Sequence, residues 1–281
     1  MKTLLLIDGN NVAHRAFNTI PKHFGVEGEK TGCTFGFMRM IHSLMKKFAT
    51  RQVMVCFDGP GASTGRKLIS PAYKSDRDSN FPEADSFYAQ MERIKEILKT
   101  AKCTVVDSIG GEADDYLYWL AMDNAPDFDQ VIIVSTDHDL LQAMEYDNVK
   151  VLRNPPKGTE KLWTRADAQK EMGFNPEVFR YYWAMVGDPG DCVKPVFSKI
   201  EAAAIMQYPV TGLISFKNAL HQHNITPEKY ATILQNLELV SPHDVNIFEI
   251  SPKEIHLELV QPIYERLKIA SLIKDLPNVS G

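Results

Sequence analysis

No stretch of the sequence approaches the ~18 apolar residues needed to cross a bilayer. The first apolar run, residues 4–7, is stopped by Asp8, well short of the ~7–15 residues of a secretory leader core. A cytoplasmic chain with no membrane partner is expected, in the host cytoplasm if the chain is phage-encoded. Cysteine is sparse: Cys33, Cys56, Cys103 and Cys192 are its four positions, and no two lie at metal-pair spacing. They read as free thiols in a reducing compartment, which excludes a disulfide scaffold and a zinc ribbon. Internal repeats and low-complexity segments are absent, as is any heptad pattern, so a monomer is expected. There is also no excess of basic charge. The net charge is −5, which speaks against a nucleic-acid partner held by bulk charge alone.

What the chain does have is enough length and apolar content for a sizeable core, with 281 residues and 44% hydrophobic. Short apolar runs alternate with longer periodic ones through the first half. Strand patterns fall at residues 3–7, 52–57, 103–106, 131–135 and, more weakly, 150–152. Helical spacing falls at 35–48, 86–99 and 113–122. Such alternation predicts a mainly parallel central sheet flanked by helices. Residues 59–82 break the pattern and carry Arg66, Lys67, Lys74 and Arg77, which marks a functional loop or arch spanning about 60–90. Past residue 160 the strand signal fades. Thr164 is a candidate N-cap with Asp167 in the first turn. Further helices are expected at 176–186, 198–206, 211–221, 227–237 and 258–267. The division is therefore an α/β domain over 1–160 and a helical region over 161–281.

The acids sit where ligands gather. Asp8 follows the first strand, Asp58 the second, and Asp137 and Asp139 follow residues 131–134. In a parallel sheet these positions share the carboxyl edge. Glu112, Asp114 and Asp115 open a helix after Gly110-Gly111. Asp188 and Asp191 form a later loop pair. Each group alone reads as a turn, a cap or an acidic first turn; their convergence on one edge reads as a site. Two carboxylates ~4 Å apart repel by ~4 kcal/mol at an effective dielectric near 20, so cation, proton or both must offset the cluster. All-oxygen donors select Mg²⁺ or Mn²⁺, and two such ions suit in-line phosphoryl displacement. Setting these nine of the 36 acids aside leaves 27 against 31 bases, so the remaining surface is weakly basic.

Ordered motifs run along the chain: Ile7-Asp8-Gly9-Asn10-Asn11, Phe57-Asp58-Gly59, Tyr73-Lys74-Ser75-Asp76-Arg77, Glu112-Ala113-Asp114-Asp115, Asp137-His138-Asp139-Leu140-Leu141, and Gly187-Asp188 with Asp191. On these the sequence resembles the 5′-nuclease, or flap endonuclease, family. That family includes stand-alone bacteriophage enzymes and the 5′-nuclease domain of bacterial DNA polymerase I. The resemblance implies a PIN-like nuclease domain with a basic helical arch and a helix-turn-helix-like DNA-binding element in the C-terminal region. It implies a first metal cluster of Asp8, Asp58, Glu112, Asp114 and Asp115, and a second of Asp137, Asp139, Asp188 and Asp191. Lys74 and Arg77 match residues at the arch base that contact the scissile phosphate, beside Asp58 and Asp114 as catalytic carboxylates. Arg66 matches a phosphate contact and Tyr73 a tyrosine near the unpaired terminal nucleotide, with Lys67 in the same basic segment.

Two departures stand out. His138 replaces a lysine common in relatives. Flanking aspartates would favour its imidazolium, and it is not expected to be a ligand. After Asp191 the chain lacks the Gly-Ile-Gly hairpin that holds duplex phosphate, sometimes with a monovalent cation. This counts against a K⁺ site and leaves Lys194 and Lys199 as candidate duplex contacts. The expected activity is 5′→3′ exonuclease and 5′-flap endonuclease cleavage of DNA, with RNA primers on DNA as a further substrate and replication proteins as partners. Alternatives are a PIN-like ribonuclease and a non-catalytic DNA-junction-binding protein. The tail from about residue 246 is expected either to pack as a final helix or to contact a replication partner.

Overall fold

The computed structural model describes residues 1–21, 24–26, 28–76, 81–154 and 159–276. Strand β1 (Thr3–Asp8) leads into α1 (Gly9–Thr19), and a short hairpin, β2 (Gly25–Val26) and β3 (Glu29–Lys30), precedes α2 (Gly32–Phe48). Then come β4 (Val53–Phe57), α3 (Thr64–Ile69), α4 (Ala84–Thr100), β5 (Thr104–Asp107), α5 (Ala113–Asn124), β6 (Gln130–Val134), β7 (Val149–Arg153) and β8 (Lys161–Trp163). The six-stranded sheet has the order β5-β4-β1-β6-β7-β8. All neighbours are parallel except β7 and β8. The expected mixed, mainly parallel sheet is what forms, and it extends to residue 163.

Both faces of the sheet are buried, which is why its strands read as continuous apolar runs. Alternate residues part to opposite sides. Leu5, Ile7, Val55, Phe57 and Ile132 face α1, α2 and α4. Leu4, Leu6, Met54, Cys56 and Ile133 face α5 and the turn at Leu140–Leu141.

Helix α6 (Arg165–Met172) packs on the second cluster through Ala168, and a third cluster lies in the C-terminal helices α7 (Phe179–Val186), α8 (Lys199–Met206), α9 (Leu213–Gln222) and α10 (Pro227–Val240). Thr164 does cap α6, accepting from Asp167 N–H. The tail returns to the α/β core. Ile255, Leu257, Tyr264, Leu267 and Leu272 bury against α2 and α4 through α11 (Gln261–Arg266) and α12 (Ala270–Asp275).

The described residues of the 59–82 segment pack closely rather than standing open as a loop. Residues 64–69 are helical, Tyr73 is buried among the C-terminal helices, and Lys74 N–H donates to Asp191 backbone O at 3.1 Å. The described part of the arch therefore folds down on the acidic edge.

Candidate metal centre and its cationic partners

Asp8 ends β1 and caps α1, with its Oδ1 accepting from Asn11 N–H at 3.0 Å. Its Oδ2 accepts from Ser135 Oγ at 2.7 Å. Gly9 follows because a Cβ there would lie 2.4 Å from the Phe57 ring. Burial pushes the Asp8 carboxyl up to about 7, against those two hydrogen bonds, with Asp137 and Asp58 adding to the rise.

Asp58 is held by the Asn10 amide at 3.0 Å and by Ala113 N–H at 2.8 Å, so it reaches the N-terminus of α5. A favourable helix dipole acts on it there. Asp8, Asp58, Glu112, Asp114 and Asp137 line one pocket of about 320 Å³, together with Asn10, Asn11, His14 and Lys74. Asp114 is raised well above the ordinary carboxylate range, chiefly by burial and then by Asp115. Asp139 is raised too, by burial first and then by Asp137, Asp188, Asp114 and Asp191. Its response to both acid groups joins the later loop to the sheet edge.

That loop depends on Gly187. Its φ is +70°, and a Cβ would fall 2.4 Å from Val193 O. Asp188 then turns back to accept from Gly190 N–H at 2.8 Å.

Three cationic or phenolic side chains lie among these acids. Arg66 is only 4% exposed. Its Nη1 and Nη2 donate to Asp115 at 2.8 and 2.7 Å, Nη1 reaches Glu112 at 3.1 Å, and Nε donates to Leu239 O. Lys74 Nζ donates to Glu112 Oε1 at 2.7 Å and lies 3.6 Å from Asp191. Burial alone would lower the Lys74 pKa, but Glu112, Asp114 and Asp191 outweigh it and raise it, so the ammonium persists. Tyr73 Oη sits 2.9 Å from Glu112 and 2.8 Å from Asp191.

The geometry corrects several expectations. Arg66 is no open phosphate contact, because its guanidinium is taken up by two buried carboxylates and the end of α10. Tyr73 is 2% exposed and offers no free stacking face. Asp115 accepts from Arg66 twice, from Glu112 N–H and from His243 N–H, which leaves it no lone pair for a cation. Its direct partner in this structure is Arg66.

His138 is shifted the other way from expectation. Burial and Arg153 lower its pKa, outweighing Asp137, and Lys199 adds to the fall. Lys67, Lys194 and Lys199 are exposed. Arg77 lies outside the described residues. In place of a glycine hairpin, Ser198 caps α8 and Glu201 returns its carboxylate to Ser198 N–H at 2.8 Å.

Asn10, Asn11, Ser135 and His14 were not singled out by sequence. The first two lie in the Asp8 motif and could have been found there. Ser135 and His14 carry no such signal.

Among the described residues no three acidic, histidine or cysteine side chains already converge on one point. The donors nevertheless suit a hard cation. Asp8, Asp114 and Asp139 offer oxygen donors crowded by like charge, and Arg66 and Lys74 offset that crowding at Asp114 only in part.

Residues 3–173 match the family described as 5′-3′ exonuclease, N-terminal resolvase-like domain. A 5′-3′ exonuclease of Aquifex aeolicus is 37% identical over 194 residues, which is 69% of this chain and 64% of that protein. DNA polymerase I of Mycobacterium tuberculosis is 34% identical over 193 residues, 67% of this chain but 21% of the polymerase. The chain thus matches under two thirds of either relative. Among solved structures, the bacteriophage T5 5′-exonuclease with bound zinc superposes with a TM-score of 0.64 at 20% identity, covering all of both chains. Flap endonuclease-1 from Methanococcus jannaschii gives 0.63 at 14%, covering 99% of this chain and 91% of that one. At these identities the likeness concerns the fold.

Proposed function

The chain belongs to the 5′-3′ exonuclease family, and from that premise we propose that it is a structure-specific 5′-nuclease hydrolysing DNA phosphodiester bonds with paired divalent cations. The observation that carries this reading is the assembly of acids from three parallel strand ends, the α5 N-terminus and the 188–191 loop beside a persistent lysine ammonium.

Asp8, Asp58, Glu112 and Asp114 would hold one Mg²⁺ or Mn²⁺, and Asp137, Asp139, Asp188 and Asp191 the other. Such ions supply Lewis acidity and lower the pKa of water. Lys74 presents a fixed positive charge to the scissile phosphate, and the exposed Lys67, Lys194 and Lys199 meet flanking phosphates. Water attacks phosphorus in line, leaving a 5′-phosphate and a 3′-hydroxyl. The substrate is a 5′ single-stranded flap or duplex end, including RNA primers on DNA, in concert with replication proteins. No K⁺ site is proposed at the α8 turn, where residues 193–201 lack the glycine hairpin.

A panel of labelled 5′-flap, blunt duplex, RNA–DNA hybrid and single-stranded RNA substrates tests the assignment. Cleavage near the flap base is expected to exceed cleavage of single-stranded RNA. The reverse preference would replace the proposal with a ribonuclease.

A further inference from the structure

Between α1, α2 and the carboxyl ends of β6 and β7 lies a groove of about 310 Å³, separate from the acidic pocket. Its floor is apolar, with Met40, Leu44, Val134 and Leu152. Among the described residues its rim carries Arg15, Arg39 and Lys47 against a single carboxylate, Glu160. Lys47 is paired with Glu160. Among the described residues Arg15 Nη1 has only a neutral acceptor, Asn154 O at 3.3 Å. Arg39 is exposed and makes no ion pair among the described residues. Burial lowers the Arg15 pKa, with Glu160 opposing, as befits a cation short of counter-charge.

One face of α1 connects this groove to the acids. Asn11, Arg15 and Thr19 recur every four residues and so share a stripe. Asn11 lines the acidic pocket, whereas Arg15 and Thr19 line the groove. At 1.5 Å rise per residue the two are about 6 Å apart along the helix.

We infer that this groove binds the 5′-phosphate monoester of a nucleotide. Among the described residues, three cations against one carboxylate leave two charges unopposed. A phosphate monoester carries about −1.5 to −2 at neutral pH and matches them. Guanidinium forks bind phosphate oxygens bidentately. The apolar floor covers sugar and base, and the volume falls at the lower end of the ~300–1,000 Å³ typical of small-molecule sites. The nucleotide half of the assignment rests on the nuclease reading, whose products carry such groups. The phosphate half rests on the charges of the groove.

Calorimetric titration of the whole protein in EDTA tests this. The probes are deoxyadenosine monophosphate, deoxyadenosine, and a short single strand with and without a 5′-phosphate. Phosphorylated probes are expected to bind at least about tenfold more tightly than their unphosphorylated partners. Binding of the free nucleotide alone identifies a product site, and binding of the phosphorylated strand alone a strand-end site; either upholds the phosphomonoester. Arg39→Gln is expected to weaken binding about fivefold or more. Glu160→Gln is expected to tighten it, a direction that misfolding does not produce. Equal affinity with and without phosphate, or indifference to both substitutions, overturns the inference. Because EDTA removes divalent cations, a protein that binds the phosphate yet cleaves nothing sinks the nuclease reading and keeps the groove. One that cleaves flaps but ignores the phosphate does the reverse.

Discussion

Arg66 and Asp115 lie 49 positions apart in sequence and meet in a buried, two-pronged ion pair. Removing one partner of such a pair strands the other charge in the interior, at a cost of ~3–5 kcal/mol. Arg66→Met is therefore expected to lower the denaturant midpoint steeply. Arg66→Lys should recover little, because an ammonium cannot reproduce the fork. A variant as stable as the native chain would show that the pair contributes nothing. Lys74 is proposed to serve the cleavage step instead. Lys74→Ala is expected to slow single-turnover flap cleavage by about 10²–10³-fold, the scale of removing one preorganised electrostatic donor. A change in substrate affinity alone, with the cleavage rate intact, would contradict its placement at the scissile phosphate. Sequence spacing revealed which acids end strands. It could not reveal that Arg66 and Tyr73 turn inward, because composition reports charge and aromaticity but not the partner across the fold.

At the scale of elements, the long apolar strands and helices were legible because both their faces or one clear stripe are buried. Helix α1 went unread. Its Val12, Ala13, Ala16 and Phe17 have helical spacing, but the polar Gly9-Asn10-Asn11 start drew attention to ligand chemistry instead. Helix α3 was missed because six residues are too few to show a period. The tail sequence suits either packing or a partner contact, and its described residues pack on the α/β core. His42 on α2 is buried, and its Nε2 lies 3.1 Å from the Tyr264 hydroxyl on α11. Burial pushes the His42 imidazole down to about 4, with Asp275 opposing. Between the unfolded value near 6.5 and that folded value, the unfolded chain binds a proton that the folded one refuses. Stability is thus complete above pH 6.5 and falls as the pH drops towards 4, by roughly 3 kcal/mol in all from this group. His42→Gln is expected to flatten that part of the stability–pH curve. An unchanged slope would show that His42 does not titrate with the tail in place.

For the whole molecule, the strand order decides the chemistry. β4, β1 and β6 are adjacent and parallel, so Asp58, Asp8 and Asp137 arrive at one edge although they are distant in sequence. The alternating pattern foretold a parallel sheet. It did not foretell β8, whose three residues pair antiparallel at the far edge, because an edge strand so short has almost no periodic signal. Bulk charge does not point to the proposed DNA partner, since nine of the 36 acids are those assigned to the proposed metal site. The central claim is that this edge cleaves DNA through bound divalent cations. Its most direct test is single-turnover cleavage of a labelled 5′-flap duplex by the native protein and by Asp58→Asn, in Mg²⁺, Mn²⁺ or EDTA. The account predicts cleavage near the flap base in either metal, none in EDTA, and a fall of roughly 10²-fold or more for the variant. Cleavage that persists in EDTA, or tight flap binding without turnover in both metals, would contradict it.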